Sequence, residues 1–197
     1  MPVIRFARCE DARTFHDVMR AAYDSLDNKD LYICDDYEYV RAVLENPDAG
    51  FGLMYYQENP DEKPDRNPEE KPGREPDSGY CAGVLLVIFP GEAEDNLARD
   101  MSLKGYLMAV AHIESAAVRA ESRGNGIQKK LIEYACDYLC RKCGNIRYAM
   151  ATVSPDNIPS LKSFEKAGFK IMLTKEKYGG KIRHILMREI HGGGLYG

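Results

Sequence analysis

The run Arg123-Gly124-Asn125-Gly126-Ile127-Gln128 places two glycines directly before a helical pattern, a combination able to hold an anion. Apolar residues up to Val118 read as a strand, and Ile127, Leu131, Ala135, Tyr138 and Leu139 keep helical spacing afterwards. The unpaired N–H groups of a first helical turn point outward, and the helix dipole favours negative charge there. Arg123 adds a cationic side chain at the rim. The run lacks the Lys-Ser/Thr ending of a phosphate-binding P-loop and the third glycine of a dinucleotide fingerprint. Read alone, it serves equally as a structural turn or as a phosphate site. Just upstream, His112 and Glu114 stand two apart on the strand and share a face unless a bulge intervenes. Both are candidate proton acceptors.

Two other groups of reactive side chains have plainer readings. Cys136, Cys140 and Cys143 spell C-x3-C-x2-C, but positions i, i+4 and i+7 form one helix stripe, where free Cys acts as a small buried hydrophobe. No metal is predicted. Asp27, Asp30, Asp35 and Asp36 alternate with Tyr32 and Tyr37 between the first two helices, where acidic groups beside aromatics can hold a cationic amine. The commoner use of such a run is a solvated, helix-capping surface.

These residues need a scaffold, and 197 residues suffice for one domain with a single core, predicted over 1–191 with a loose tail at 192–197. Strands are predicted at 2–8, 51–56, 80–89, 106–118, 146–153, 169–175 and 181–190. Helices are predicted from Asp11 to Ser25, Asp35 to Leu44, Ile127 to Gly144, and after Asn157. Residues 58–78, dense in Pro, Glu, Asp and Lys, read as a mobile polar loop insertion. A net charge of -4 points away from nucleic acid and anionic membranes as partners. The longest apolar stretch, Val84 to Phe89, is too short to span a bilayer, and no run of signal-peptide length stands near Met1, so a cytoplasmic protein is expected.

The segment HIESAAVRAESRGNGIQKKL, followed about thirty residues later by SPDNIPSLKSFEKAGF, resembles the two signature segments of the GNAT superfamily of acyl-CoA-dependent N-acetyltransferases. Arg123 to Gln128 match its R/Q-x-x-G-x-G/A pattern, with Gly126 at the fixed glycine and Gln128 where Gly or Ala is usual. The resemblance covers roughly residues 80 to 190.

It implies an α/β fold with a mixed, mostly antiparallel seven-stranded sheet, a central splay and about four flanking helices. It also implies acetyl-CoA as cosubstrate, held at its pyrophosphate by Arg123, Gly124, Asn125, Gly126, Ile127 and Gln128. Amides of Ala116 and Val118 would pair with the pantetheine arm. Asn157 would bond the cofactor, a role compatible with capping a helix. Glu114 matches the position of a base in some members, with His112 as the second candidate. The usual general acid is a Tyr where this chain has Phe164. Tyr178 is a conceivable substitute, but a solvated turn tyrosine is the plainer reading, which leaves water to protonate the thiolate. The implied reaction moves acetyl to a primary amine of a small molecule or peptide by direct attack. The alternative is a non-catalytic acyl-CoA-binding domain. Oligomeric state stays open, a homodimer included.

Overall fold

The computed structural model describes residues 2–57 and 79–190. The polar insertion at 58–78 and the tail at 192–197 lie outside the described residues. Seven strands, β1 (Val3–Phe6), β2 (Gly50–Gln57), β3 (Tyr80–Ile88), β4 (Val110–Val118), β5 (Tyr148–Val153), β6 (Lys170–Lys177) and β7 (Lys181–Glu189), form one sheet in the order β1-β2-β3-β4-β5-β7-β6. Every neighbouring pair is antiparallel except β4–β5. Among the described residues four α-helices flank it: α1 (Ala12–Asp24), α2 (Tyr37–Glu45), α3 (Ile127–Lys142) and α4 (Ile158–Lys166).

The helices sort onto two faces because their apolar stripes meet opposite sides of the strands. Phe15, Val18 and Met19 of α1 and Val40 and Val43 of α2 pack with Met54, Val84 and Leu86. Ile127, Leu131, Ala135 and Leu139 of α3 and Leu161 and Phe164 of α4 pack with Leu53, Leu85, Val87 and Ala149. The alternation of 84 and 86 against 85 and 87 is the period-2 signature of a strand buried on both faces. Cys136 takes its place on the buried stripe of α3 as a small hydrophobe, with Cys140 half-buried beside the same core. No cluster of His, Cys, Asp or Glu able to hold a metal ion occurs among the described residues.

The sheet differs from the sequence pattern at one strand. The apolar run from Tyr106 predicts a strand, yet Lys104–Ala109 forms a short 3-10 segment and β4 begins only at Val110. Pairing supplies the reason. Partner β3 ends at Ile88 opposite His112, and β5 begins at Tyr148 opposite Val110, so an earlier strand would have unpaired edges on both sides. Asp11, which opens the predicted first helix, does not cap α1 with its side chain. Its carboxylate accepts from Arg8 N–H at 2.7 Å and pairs with Arg5 at 2.7 Å, which pins β1 to the start of α1.

Phe164 is buried and meets Phe169 edge to face, with ring centroids 5.1 Å apart. Phe164→Ala should therefore cost about 3–5 kcal/mol of stability, read as a lower urea midpoint. A loss of under about 1 kcal/mol would mean that this aromatic pair adds nothing to the core.

Candidate active site

The site begins where β4 and β5 separate. They pair in parallel only over Val110↔Tyr148, Ala111↔Ala149 and His112↔Met150. Beyond these pairs the strands diverge around a cleft of about 610 Å³, lined by Glu114, Ala116 and Val118 on one side and Thr152 and Val153 on the other. Along the opposite edge of β4, Leu86 faces Ser115 and Val87 faces Ile113, which leaves Glu114 as the extra residue of a β-bulge.

The bulge reverses the faces of everything after it. Before it, Ala111 and Ile113 pack on the α3 side; after it, Ala116 and Val118 do so, while Ala117 joins the α1–α2 side. Ser115 turns with Ala117 and donates to Asp35 Oδ2 at 2.7 Å. Arg119 N–H donates to Ala82 O of the neighbouring strand at 3.0 Å. Because N–H groups alternate in direction along a strand, those of Val118 and Ala116 point away from β3 and into the open side of the splay.

The glycine turn closes one end of this cleft. Gly124 (φ 83°) and Gly126 (φ 69°) are both left-handed, and no side chain caps the first turn of α3. The N–H groups of that turn therefore stay available to a ligand. The side chains around the turn are committed elsewhere. Arg123 donates to Ala22 O at 3.1 Å and Ser25 Oγ at 2.7 Å, placing its charge at the negative end of the α1 dipole. Asn125 donates to Ser122 O at 3.1 Å. Gln128 donates to Ser160 Oγ at 3.0 Å and so ties the first turn of α3 to that of α4. Asn157 caps α4 through Ser160 N–H at 3.3 Å and donates to Leu31 O at 3.2 Å. Ile127 is buried in the core below the turn.

A smaller recess opens on the other side of Glu114 and Thr152, bounded by His112, Asp95, Lys177 and Tyr178. Burial first, then repulsion from Asp35 and Asp95, pushes the Glu114 carboxyl up to about 7, with Lys177 acting against them. His112 is buried, and its Nε2 accepts from Leu97 N–H at 3.1 Å. Burial pushes it down to about 4. The neutral ring then carries its proton on Nδ1, which lies 3.9 Å from Glu114 Oε2. Tyr178 sits in the hairpin turn and is 45% exposed, as its sequence position predicts, yet its hydroxyl is 3.0 Å from Thr152 Oγ1 at the edge of the recess. Phe164 lines the main cleft with an aromatic ring and no proton to give.

A sequence model described as the acetyltransferase (GNAT) family matches residues 53–169, more than half of the chain. The chain belongs to this family. Its fold agrees with those of solved GNAT-family structures. A GNAT-family acetyltransferase from Streptococcus pneumoniae superimposes with a TM-score of 0.65 at 17% identity, over 96% of this chain and 99% of that one. NAA60 of Arabidopsis thaliana, solved with acetyl-CoA, gives 0.67 at 16% identity, covering 96% and 99%. YncA of Salmonella typhimurium, also solved with acetyl-CoA, gives 0.67 at 15% identity, covering 100% and 98%. No curated protein sequence matches the chain.

This GNAT-family chain also places at the site residues that sequence reasoning passed over. Lys162 and Lys166 of α4 line the same cleft as the glycine turn, and neither has an ion-pair partner among the described residues. Their i, i+4 spacing was visible, but only the packing of α4 against α3 shows which space they border. Thr152 carried no signal, since nothing in a strand sequence marks where its neighbour departs.

Proposed function

We propose that the chain transfers the acetyl group of acetyl-CoA to a primary amine by direct attack, with Glu114 as the base. The observation that carries this is continuity: one cleft joins the free N–H groups of the α3 turn, the unpaired amides of Val118 and Ala116, and the Glu114 carboxyl. An extended, phosphate-ended thioester matches that sequence of groups. Its pyrophosphate sits at the α3 N-terminus, held by backbone N–H groups from Gly124, Asn125, Gly126, Ile127 and Gln128 rather than by the Arg123 side chain. Lys162 and Lys166 supply positive charge beside it. The pantetheine amides pair with Ala116 and Val118 as a further strand would.

The thioester carbonyl then lies near the bulge, where a backbone N–H stabilises the oxyanion formed on attack. An alkylamine is protonated at neutral pH and must lose its proton first. Glu114, lifted toward neutrality, accepts it directly or through water. His112 is buried and neutral, with its Nε2 lone pair engaged by Leu97 and its Nδ1 3.9 Å from Glu114, so it lines the recess beside the base instead of taking the proton itself. Asp35 and Asp95, which have no ion-pair partners among the described residues, favour a cationic acceptor at this end. Small-molecule amines and peptide N-termini both satisfy that chemistry.

The test is a thiol-release assay with acetyl-CoA over polyamines, amino acids, aminoglycosides and peptide N-termini. Amine-dependent release of free thiol is the expected result. Tight coenzyme A binding with no release from any amine would make the chain an acyl-CoA-binding domain.

A further inference from the structure

On the acetyl-transfer reading, on which this inference rests, the attack leaves a thiolate that needs a proton, and Phe164 cannot supply one. We propose that Tyr178 is the proton donor to the departing thiolate, with Thr152 and Arg183 stabilising the phenolate that results.

Four observations converge on the phenol. Thr152, its hydrogen-bond partner at 3.0 Å, belongs to the part of β5 that has already left β4, and it borders both the main cleft and the smaller recess. Glu114 borders both spaces as well. The carboxyl and the phenol therefore bracket the junction through which the reacting carbonyl must be approached.

The backbone is shaped to bring the ring there. Tyr178 is left-handed at φ 50°, followed by Gly179 at 74° and Gly180 at 104°. A non-glycine residue in that region costs about 1–2 kcal/mol, a strain that persists where surrounding contacts fix it. Arg183 is the fourth observation. It is buried, donates to the carbonyls of Ile182 (3.0 Å) and Asp30 (2.7 Å), and has no carboxylate at ion-pair distance among the described residues. Its guanidinium carbon lies 6.0 Å from the centre of the Tyr178 ring. A buried cation whose hydrogen-bond partners among the described residues are carbonyls keeps much of its field for nearby anions, and besides the Asp30 carboxylate the phenolate is such an anion.

The step balances without a further reactant. As the tetrahedral intermediate collapses, the C–S bond breaks and sulfur keeps the electron pair. Sulfur takes the phenolic proton. Of the two protons the ammonium gives up, the first has passed to Glu114 before attack, and the second leaves the tetrahedral nitrogen through water, which returns a proton to the phenolate. Burial, with Glu114 and Asp95 repelling a phenolate, raises the Tyr178 pKa, so the phenol is protonated and ready at neutral pH. A base near 7 and an acid held well above it are the separated pair that such a reaction needs.

The experiment compares wild type with Tyr178→Phe using acetyl donors that differ in thiol acidity. With acetyl-CoA, kcat should fall about 10²- to 10³-fold while coenzyme A affinity is unchanged. With the acetyl thioester of N-acetylcysteamine the same ratio in kcat/KM should persist. With that of 4-nitrothiophenol, whose thiolate leaves without a proton, the ratio should shrink to near one. Thr152→Val should show the same donor dependence with a smaller loss. An equal loss with both thioesters would make Tyr178 a positioning residue and overturn the inference, as would an unimpaired Tyr178→Phe. A wild-type protein that releases no thiol from acetyl-CoA with any amine would instead overturn the acetyl-transfer reading itself.

Discussion

Glu114→Gln should lower kcat by about 10²-fold and abolish the rise in rate through pH 7, while coenzyme A affinity hardly changes. The carboxyl is held at about 7 chiefly by burial, so the active, ionised base accumulates only as pH passes that value. Gln keeps the shape but accepts no proton. The same substitution has an opposite effect on stability. A folded carboxyl that holds its proton more tightly than the unfolded one carries no penalty at pH below about 4.5, and stability declines as pH rises through 7. Moving a group from 4.5 to about 7 corresponds to about 3 kcal/mol at 1.36 kcal/mol per pH unit. With 25% of the side chain exposed, solvent reduces this to about 1–3 kcal/mol. The variant should thus match wild type in urea melts at about pH 4 and exceed it at about pH 8.5. A near-normal rate would make Glu114 a structural carboxylate. A variant equal to wild type at both pH values would mean that burial of this carboxylate is not costly.

Gly126→Val should weaken coenzyme A binding by about 10²-fold or more, which is about 2.7 kcal/mol. A Cβ built at Gly126 meets no protein atom within 4 Å, so the added side chain does not clash with the fold. It stands instead in the cleft that Gly126 lines, where a phosphate must approach the N–H groups of α3. The left-handed φ of 69° adds a folding cost of about 1–2 kcal/mol, more for a β-branched residue. Gly126→Asn separates the two effects, because Asn tolerates this conformation yet still fills the cleft. Calorimetry should find binding weakened in both variants and stability reduced mainly in Val. Unchanged affinity in Gly126→Val would remove the turn from the cofactor site.

Local features carried most of the scaffold. The glycine pair before a 3.6-residue apolar period predicts a turn and α3, because left-handed φ and amphipathic spacing are properties of a few adjacent residues. Asn157 with Pro159 announces α4 for the same reason, and the structure confirms the cap. Asp36 caps α2 through Tyr39 N–H, near the expected start. The strand at 106–109 was misread because an apolar run shows hydrophobicity but not whether a neighbouring edge exists to pair with it.

The sequence by itself determined most of the elements, their order and the glycine turn before α3, since each follows from short-range sterics and periodicity. Tertiary structure alone decided what the site residues face. The bulge at Glu114 arises from how β4 registers against β3, a pairing between residues nearly thirty positions apart. The pKa values of Glu114 and His112 come from burial and from Asp35, Asp95 and Leu97, which the chain brings in from other segments. Arg123 proved to be a tether for α1, and Tyr178, an exposed turn residue as its sequence position reads, turns its hydroxyl to Thr152. Burial and orientation are sums over distant contacts, and no local pattern of residues encodes them.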